Sequence, residues 1–233
     1  MKKILYFTPY PSPFQIEFIE HCKTIAKNTE YSLNYYFFEN LPNERQHWNV
    51  NSKIEILKSK TSILELLNNS NPSIIIITQY RGKYSKFIKN WAKKNSIAIF
   101  LGPIEPLRID HLNLFKRILR EVYLINFLKG FNGIAVMGKY AVIDYRRYFK
   151  GPIIDCFYSF QLRDLLSQQT KDIKNITDEI VFLYSGRLIH ERNPLDNIRL
   201  FHRMVKNNPD KNLKLIISGD GYLKESVLSL IES

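Results

Sequence analysis

Two arginines in the segment LYSGRLIHERNP, residues 183–194, are the side chains whose type and spacing first suggest chemistry. Arg187 follows Ser185-Gly186 at the end of an apolar run, and Arg192 stands five residues later, just before Asn193-Pro194. Arginine is permanently charged and carries a planar fork of donors that matches phosphate oxygens. Two of them at one strand end could neutralise a diphosphate and stabilise the charge that builds on a departing nucleotide. A surface alternative pairs Arg187 with Glu191 and leaves Arg192 solvated.

The elements around the pair decide where it stands. EIVFLYSG (179–186) reads as a strand. Asn193 is expected to cap the following helix, with Pro194 at its first position and Asp196 near its positive end. That helix carries Leu195, Ile198, Phe201 and Val205 on its expected buried stripe. NLKLIISGDG (212–221) supplies a second strand and its turn. Ligands of open α/β sheets bind outside the C-terminal strand ends, which is where Arg187 falls.

Upstream, strands and helices alternate. KILYFT (3–8) is a strand closed by Pro9-Tyr10-Pro11-Ser12-Pro13, and residues 14–27 have helical spacing. SLNYYFF (32–38) and KIEIL (53–57) read as strands, and Ser62 to Leu67 as helix. SIIIIT (73–78) is a β-branched run suited to a parallel strand buried on both faces. A basic helix over Lys83–Lys94 and the strand SIAIFLG (96–102) follow. Residues 109–128 form the longest amphipathic helix, with Leu112, Phe115, Leu119, Val122 and Phe127 among its apolar positions and Lys116, Arg117 and Arg120 beside them. GIAVMG (133–138) is a strand, Lys139–Phe149 a helix carrying Arg146-Arg147, and PIIDCFY (152–158) a short extended piece. The polar stretch 163–178 reads as a linker. The order predicts an α/β protein: a Rossmann-like domain over 1–162, the linker 163–178, and the opening β-α-β-α of a second Rossmann-like domain over 179–233. No G-x-G-x-x-G follows the first strand, which removes the standard NAD fingerprint.

The formal net charge is +12, and it is unevenly spread. From residue 177 onward eight Lys/Arg balance eight Asp/Glu, whereas residues 81–150 hold fifteen against four. A basic middle suggests an anionic partner: nucleic acid, anionic lipid headgroups or a phosphorylated substrate. No nucleic-acid motif accompanies the charge, so nucleic acid ranks below the other two. Lys116, Arg117, Arg120, Arg146 and Arg147 are the expected basic surface toward a membrane or acceptor. Met1-Lys2-Lys3 leads directly into ILYF, too short an apolar run for a secretory signal, and a cytoplasmic location is expected. Cys22 and Cys156 show no metal spacing and read as reduced thiols, so no metal site is expected.

The segment FLYSGRLIHERNPLDNIRLFHRM, followed by LKLIISGDGYLKESVLSLI, resembles the donor-domain opening of family-4-type GT-B glycosyltransferases, which show "GRL-x-x-E-K-G", a helix, and a strand ending in "G-D-G". Gly186, Arg187, Leu188, Glu191, Gly219, Asp220 and Gly221 match; Arg192 stands at the family lysine and Asn193 at its glycine. GFNGIAVMGKYAVIDYRRYF looks like the last strand and following helix of the family's acceptor domain. The resemblance implies two Rossmann-like domains and retaining transfer of a sugar from a nucleotide diphosphate sugar, usually without a metal or other cofactor. It places Arg187 and Arg192 on the donor diphosphate and Gly219 and Gly221 in the turn at the neighbouring strand end. Asp220 caps the next helix or touches the ligand. A saccharide or lipid-linked acceptor is implied. The basic 81–150 region and the amphipathic helix over 109–128 are themselves expected to face an anionic leaflet at the inner side of the membrane or a lipid-phosphate acceptor. The family's glycine-rich opening loop is here Pro-Tyr-Pro-Ser-Pro. Its histidine after the strand matched by SIAIFLG is here replaced by Glu105, which could position the acceptor hydroxyl or the sugar, or cap a turn. No glutamate has a partner eight residues on, so the family's E-x7-E pair is missing. The chain is therefore expected to be inactive alone, whether it is the N-terminal part of a longer enzyme, a truncated product, or one half of a split enzyme. The alternative is a binding module for a membrane or partner.

Overall fold

The computed structural model describes residues 1–42, 54–107, 113–156 and 178–232. The chain divides into two compact units, Met1–Gln161 and Leu162–Ser233. The linker read over 163–178 lies, apart from Asp178, outside the described residues, as do the first residues of the helix read from 109.

The first unit is built on a six-stranded parallel sheet in the order β2-β1-β3-β4-β5-β6. The strands are β1 (Lys2–Thr8), β2 (Tyr31–Phe37), β3 (Ile74–Ile77), β4 (Ala98–Ile104), β5 (Gly133–Val136) and β6 (Ile153–Asp155). The helices are α1 (Pro13–Ala26), α2 (Lys60–Ser70), α3 (Ser85–Lys94), α4 (Leu114–Leu128) and α5 (Lys139–Arg146). The architecture is Rossmann-like α/β. Side-chain capping marks several helix starts: Ser12 accepts from the Gln15 N–H, Ser59 and Ser62 form a reciprocal capping box, and Asn113 accepts from the Lys116 N–H. KIEIL does not become a strand. Of its described residues Ile56 makes one parallel bridge to Phe37, and Leu57 is buried.

Parallel register brings Leu5, Phe7, Ile75, Ile77, Ile99, Leu101, Ile134 and Val136 to one face, all of them essentially inaccessible. Residues of α2, α3, α4 and α5 join them in a single core. The connection from β1 to β2 runs the other way across the sheet, so a right-handed crossover puts α1 on the opposite face. Ile19, the buried residue of α1, stands outside that core. This corrects the expectation for SIIIIT. Ile75 and Ile77 are fully buried, while Ile74 and Ile76, on the face with less helical cover, are only half-buried.

Lys89 ties α3 to α4. The residue is buried, and its ammonium donates to the Asn126 and Phe127 carbonyls in the last turn of α4 while lying against the Phe127 and Phe131 rings at 4.9 and 5.5 Å. A cation there meets the negative end of the helix dipole. Burial, reinforced by Lys93 and Lys86, lowers the Lys89 pKa from its ordinary 10.5. The unfolded chain thus holds this proton to higher pH than the folded one, so the residue's contribution to stability rises as pH climbs toward 10.5. Lys89→Met is expected to cost about 1–3 kcal/mol by leaving the two carbonyls without their donor, and to abolish that alkaline rise. Urea denaturation of both proteins at neutral and alkaline pH checks it.

The second unit has two parallel strands, β7 (Glu179–Ser185) and β8 (Asn212–Ser218), and two helices, α6 (Pro194–Asn207) and α7 (Lys224–Glu232). Its core gathers Leu188, Ile198, Leu223 and Val227, with Tyr184, Leu215 and Ile217 packed against them. Val205, expected on the buried stripe of α6, is exposed, as are Val181, Leu183 and Ile216 on the strands.

Candidate functional site

The strand order changes direction between β1 and β3, where an open α/β sheet parts to admit a ligand. An open cleft of about 450 Å³ lies at this end of the first unit. Pro9 and Tyr10 border it after β1, Thr78 to Arg81 after β3, Ile104 to Leu107 at the end of β4, Met137 after β5, and Gln15, Arg120 and Tyr145 from helices.

A chain of hydroxyls orders one wall. Thr78 donates to Thr8 at 3.1 Å, and Thr8 donates to the Gln15 side-chain carbonyl at 2.9 Å. Both threonines are buried, so these bonds are sheltered from water. Also at the cleft, the Arg120 guanidinium donates to the Tyr80 phenol at 2.7 Å, and Tyr123 donates to the Tyr80 main-chain carbonyl at 2.9 Å. Arg81 lies beside the Tyr80 ring, 5.6 Å from its centroid. Tyr145 is buried among these groups, and burial pushes its phenol far above the ordinary value, so it remains a neutral hydroxyl.

Glu105 is exposed at the cleft. Its position depends on Gly102, where the β4–β5 register shifts between Leu101 and Ile104. Gly102 has φ of +124°, and a Cβ there would overlap the Ala135 carbonyl oxygen. Past the glycine the Met137 N–H donates to the Ile104 carbonyl at 2.9 Å, and the Leu107 N–H donates to the Asp144 carboxylate of α5 at 3.2 Å. Glu105 is therefore held between two anchored residues. A carboxylate, two guanidinium groups, two amides and several phenols suit a polyhydroxylated or anionic ligand.

The arginine loop belongs to the second unit. Past the strand ends the two chains stay zipped together: the Gly186 N–H donates to the Ser218 carbonyl, the Leu188 N–H to that of Asp220, and the Leu223 N–H to that of Leu188. Cβ atoms at Gly219 and Gly221 would overlap the carbonyls of Gly186 and Leu188, so both positions need glycine for close approach. The structure thus joins Gly186 and Arg187 with Gly219, Asp220 and Gly221. The Asp220 carboxylate accepts from the neighbouring Gly221 N–H at 2.9 Å and lies 3.6 Å from Lys224 at the start of α7.

Tyr184, which sequence reasoning passed over, fixes the arginine loop. Its phenol is within hydrogen-bond reach of the Arg187 carbonyl at 3.1 Å and the Arg192 carbonyl at 3.4 Å. Tyr222 holds the middle by accepting from the His190 N–H at 3.0 Å. Both side chains of the pair are exposed, and among the described residues neither forms an ion pair; Arg187 with Glu191 is not observed. Asn193 corrects one expectation. It precedes α6, but it is left-handed, with φ of 51° and ψ of 48°, and its side chain bonds no helix N–H. Asparagine is the residue after glycine that best tolerates this conformation. The Arg199 side chain, and Asn193 after it, bond Asp196 and hold its carboxyl below the ordinary range.

The expected basic surface divides. Lys116, Arg146 and Arg147 are exposed. Arg117 and Arg120 are half-buried: Arg117 pairs with Glu121 at 3.1 Å, and Arg120 turns into the cleft. The two arginines are drawn from the solvent expected for them by their partners, Glu121 for Arg117 and the Tyr80 phenol for Arg120. Burial raises the pKa of both Cys22 and Cys156, opposite to what activates a thiol nucleophile. Among the described residues no cluster of His, Cys, Asp or Glu could hold a metal ion, and no helix is long and apolar enough to cross a membrane. Tyr80 and Arg81 were findable in the sequence, because Gln79-Tyr80-Arg81 directly follows the SIIIIT strand. Compared with known proteins, the chain matches no protein-family model and has no significant match among curated proteins.

Proposed function

We propose that this chain is a retaining GT-B-type glycosyltransferase chain that takes its sugar from a nucleotide diphosphate sugar. The acceptor is a surface polysaccharide or a lipid-linked saccharide. The observation that supports the reading best is the loop of Arg187 and Arg192. Its backbone is pinned by Tyr184, Tyr222 and the zipped glycine turn, while both guanidinium groups stay exposed and, among the described residues, form no ion pair. A preorganised pair of this kind can take up charge on a departing nucleoside diphosphate without reorganising first. Gly219 and Gly221 keep the neighbouring turn flat against the loop, and Asp220 orders that turn. Glu105 would orient an acceptor hydroxyl, with Gln15 and the phenols of its cleft binding the remaining hydroxyls.

A second reading is a module that binds without turning over its ligand. The exposed apolar strand face of the second unit, with Val181, Leu183 and Ile216, favours it, because such a face is suited to a partner. Calorimetric titration with UDP, GDP and ADP, each beside its monophosphate, tests the first reading. One diphosphate is expected to bind at least about tenfold tighter than its monophosphate, since each retained charge-assisted contact is worth about 1.5–3 kcal/mol. Equal affinities throughout would sink it. This chain lacks the glutamate pair of the resembled family, so turnover is tested on a longer product of the gene that carries it: diphosphate binding with no sugar released by that product from the matching nucleotide sugar, in the presence of isolated membranes, would select the second reading.

A further inference from the structure

Helix α4 is amphipathic in the inverted sense. Its inward side carries Leu124, Phe127 and Leu128, together with the half-buried Arg117, Arg120 and Glu121. Its solvent side carries Leu114, Phe115, Ile118, Leu119, Val122 and Ile125. Leu114 and Phe115 are 74% and 71% exposed, and the other four are each at least half exposed. At 100° per residue these six fall within an arc of about 140°. Asn126, in the last turn, is the one polar residue of the helix within that arc, and an apolar stripe of this extent on the outside of a folded unit is a docking surface.

We propose that this stripe lies flat in the surface of an anionic lipid bilayer. The charges around it select that occupant. Lys116 flanks the stripe and Lys129 closes its C-terminal end, both exposed. The bond from the Tyr148 phenol to Glu121, at 3.1 Å, brings the end of α5 with exposed Arg146 and Arg147 to the same neighbourhood. Glu121 is the single acid of α4, and Arg117 and Tyr148 already engage it. Self-association through a two-fold axis would set this basic rim against its own copy, which like charges oppose. A leaflet of anionic headgroups offers both parts of the complement, acyl chains for the stripe and negative charge for the rim. With 15 residues α4 is too short to span a bilayer, and its geometry suits the plane of the interface. The proposal rests on the exposed helix face and does not depend on sugar transfer.

Flotation of the 233-residue protein with vesicles tests it. Binding to phosphatidylcholine mixed with phosphatidylglycerol is expected to exceed binding to phosphatidylcholine alone by at least about tenfold, and to weaken as salt is raised. Phe115→Ser with Leu119→Ser is expected to lower binding to the anionic vesicles at least about tenfold, with the thermal melt unchanged because both side chains are exposed. Lys116→Glu with Lys129→Glu leaves the stripe intact and is expected to remove most of the preference for anionic vesicles. Absence of vesicle binding, or binding indifferent to the stripe and rim substitutions, overturns the proposal. So does a stripe variant that converts a dimer to a monomer in sedimentation while vesicle binding persists.

Discussion

Replacing Arg187 and Arg192 together with alanine is expected to weaken nucleoside-diphosphate binding about a hundredfold. Each guanidinium would make charge-assisted hydrogen bonds to phosphate oxygens, worth about 1.5–3 kcal/mol when well formed. Both side chains are exposed, so solvent screening holds the expectation near the low end, about tenfold per arginine. The single variants are then expected to multiply to the double only if the two arginines act on separate phosphates; a shortfall would mean that they share one. Arg192→Lys is expected to be mild, because it keeps the charge at the position where the resembled family has lysine, whereas Arg187→Lys loses the fork at the end of β7. Tyr184→Phe is the informative control. It leaves both guanidinium groups in place and removes the phenol that gathers the carbonyls of both residues. A smaller loss of affinity is expected from it, with faster amide exchange in the loop as the pinning is released. Titration calorimetry on the parent protein and these six variants reads these differences. A double alanine variant that binds like the parent protein would remove the diphosphate role from this loop.

Gly102→Ala is expected to be the most destabilising single-atom change in the first unit, costing about 3–5 kcal/mol. Two separate effects combine. A backbone φ of +124° is one that side chains with a Cβ rarely adopt, and the strain is worth about 1–3 kcal/mol. The added methyl would also overlap the Ala135 carbonyl, which is main chain of the adjoining strand and cannot swing aside as a flexible side chain would. Relief requires β4 and β5 to part where their register shifts, with loss of the bond from Met137 to Ile104. Gly130→Ala separates the two effects. Its φ is also positive, at +96°, but nothing lies within 4 Å of the new Cβ, so about 1–2 kcal/mol of backbone cost alone is expected. For a unit of this size each kcal/mol moves the melting temperature by about 2–4 °C. Thermal unfolding by circular dichroism thus distinguishes a shift of about 10 °C from one of a few degrees. Equal shifts for the two variants would show that the contact at Gly102 relaxes freely. Because Gly102 turns the chain toward Glu105, milder substitutions that fold are also expected to displace that carboxylate from the cleft.

Local chemistry made much of this molecule legible. The alternation of apolar runs with helical periodicity fixed the α/β class, because strand and helix repeats differ and turn residues punctuate them. Pro194 opens α6, a demand that acts within a few residues; Gly219-Asp220-Gly221 likewise reads as a turn, although the close approach that requires its glycines is to Gly186 and Leu188, far back in the chain. Asn193 shows the limit of such reasoning. Its type suits a side-chain cap and equally suits a left-handed residue, and only the path of the loop chose the second.

Tertiary structure decided which way each face points. Periodicity establishes that Phe115, Leu119 and Val122 share a side of α4, but says nothing of what lies against that side. The inner contacts of α4 are made instead by Leu124, Phe127 and Leu128, and the same rotation carries Arg120 into the cleft and the apolar stripe out to solvent. Long-range pairing did the rest. Thr8 meets Thr78 and Tyr80 meets Arg120 only because the sheet order places β1 beside β3 and α4 behind their ends. Such contacts join residues dozens of positions apart. A sequence records the partners, while their meeting depends on how the whole sheet closes its core.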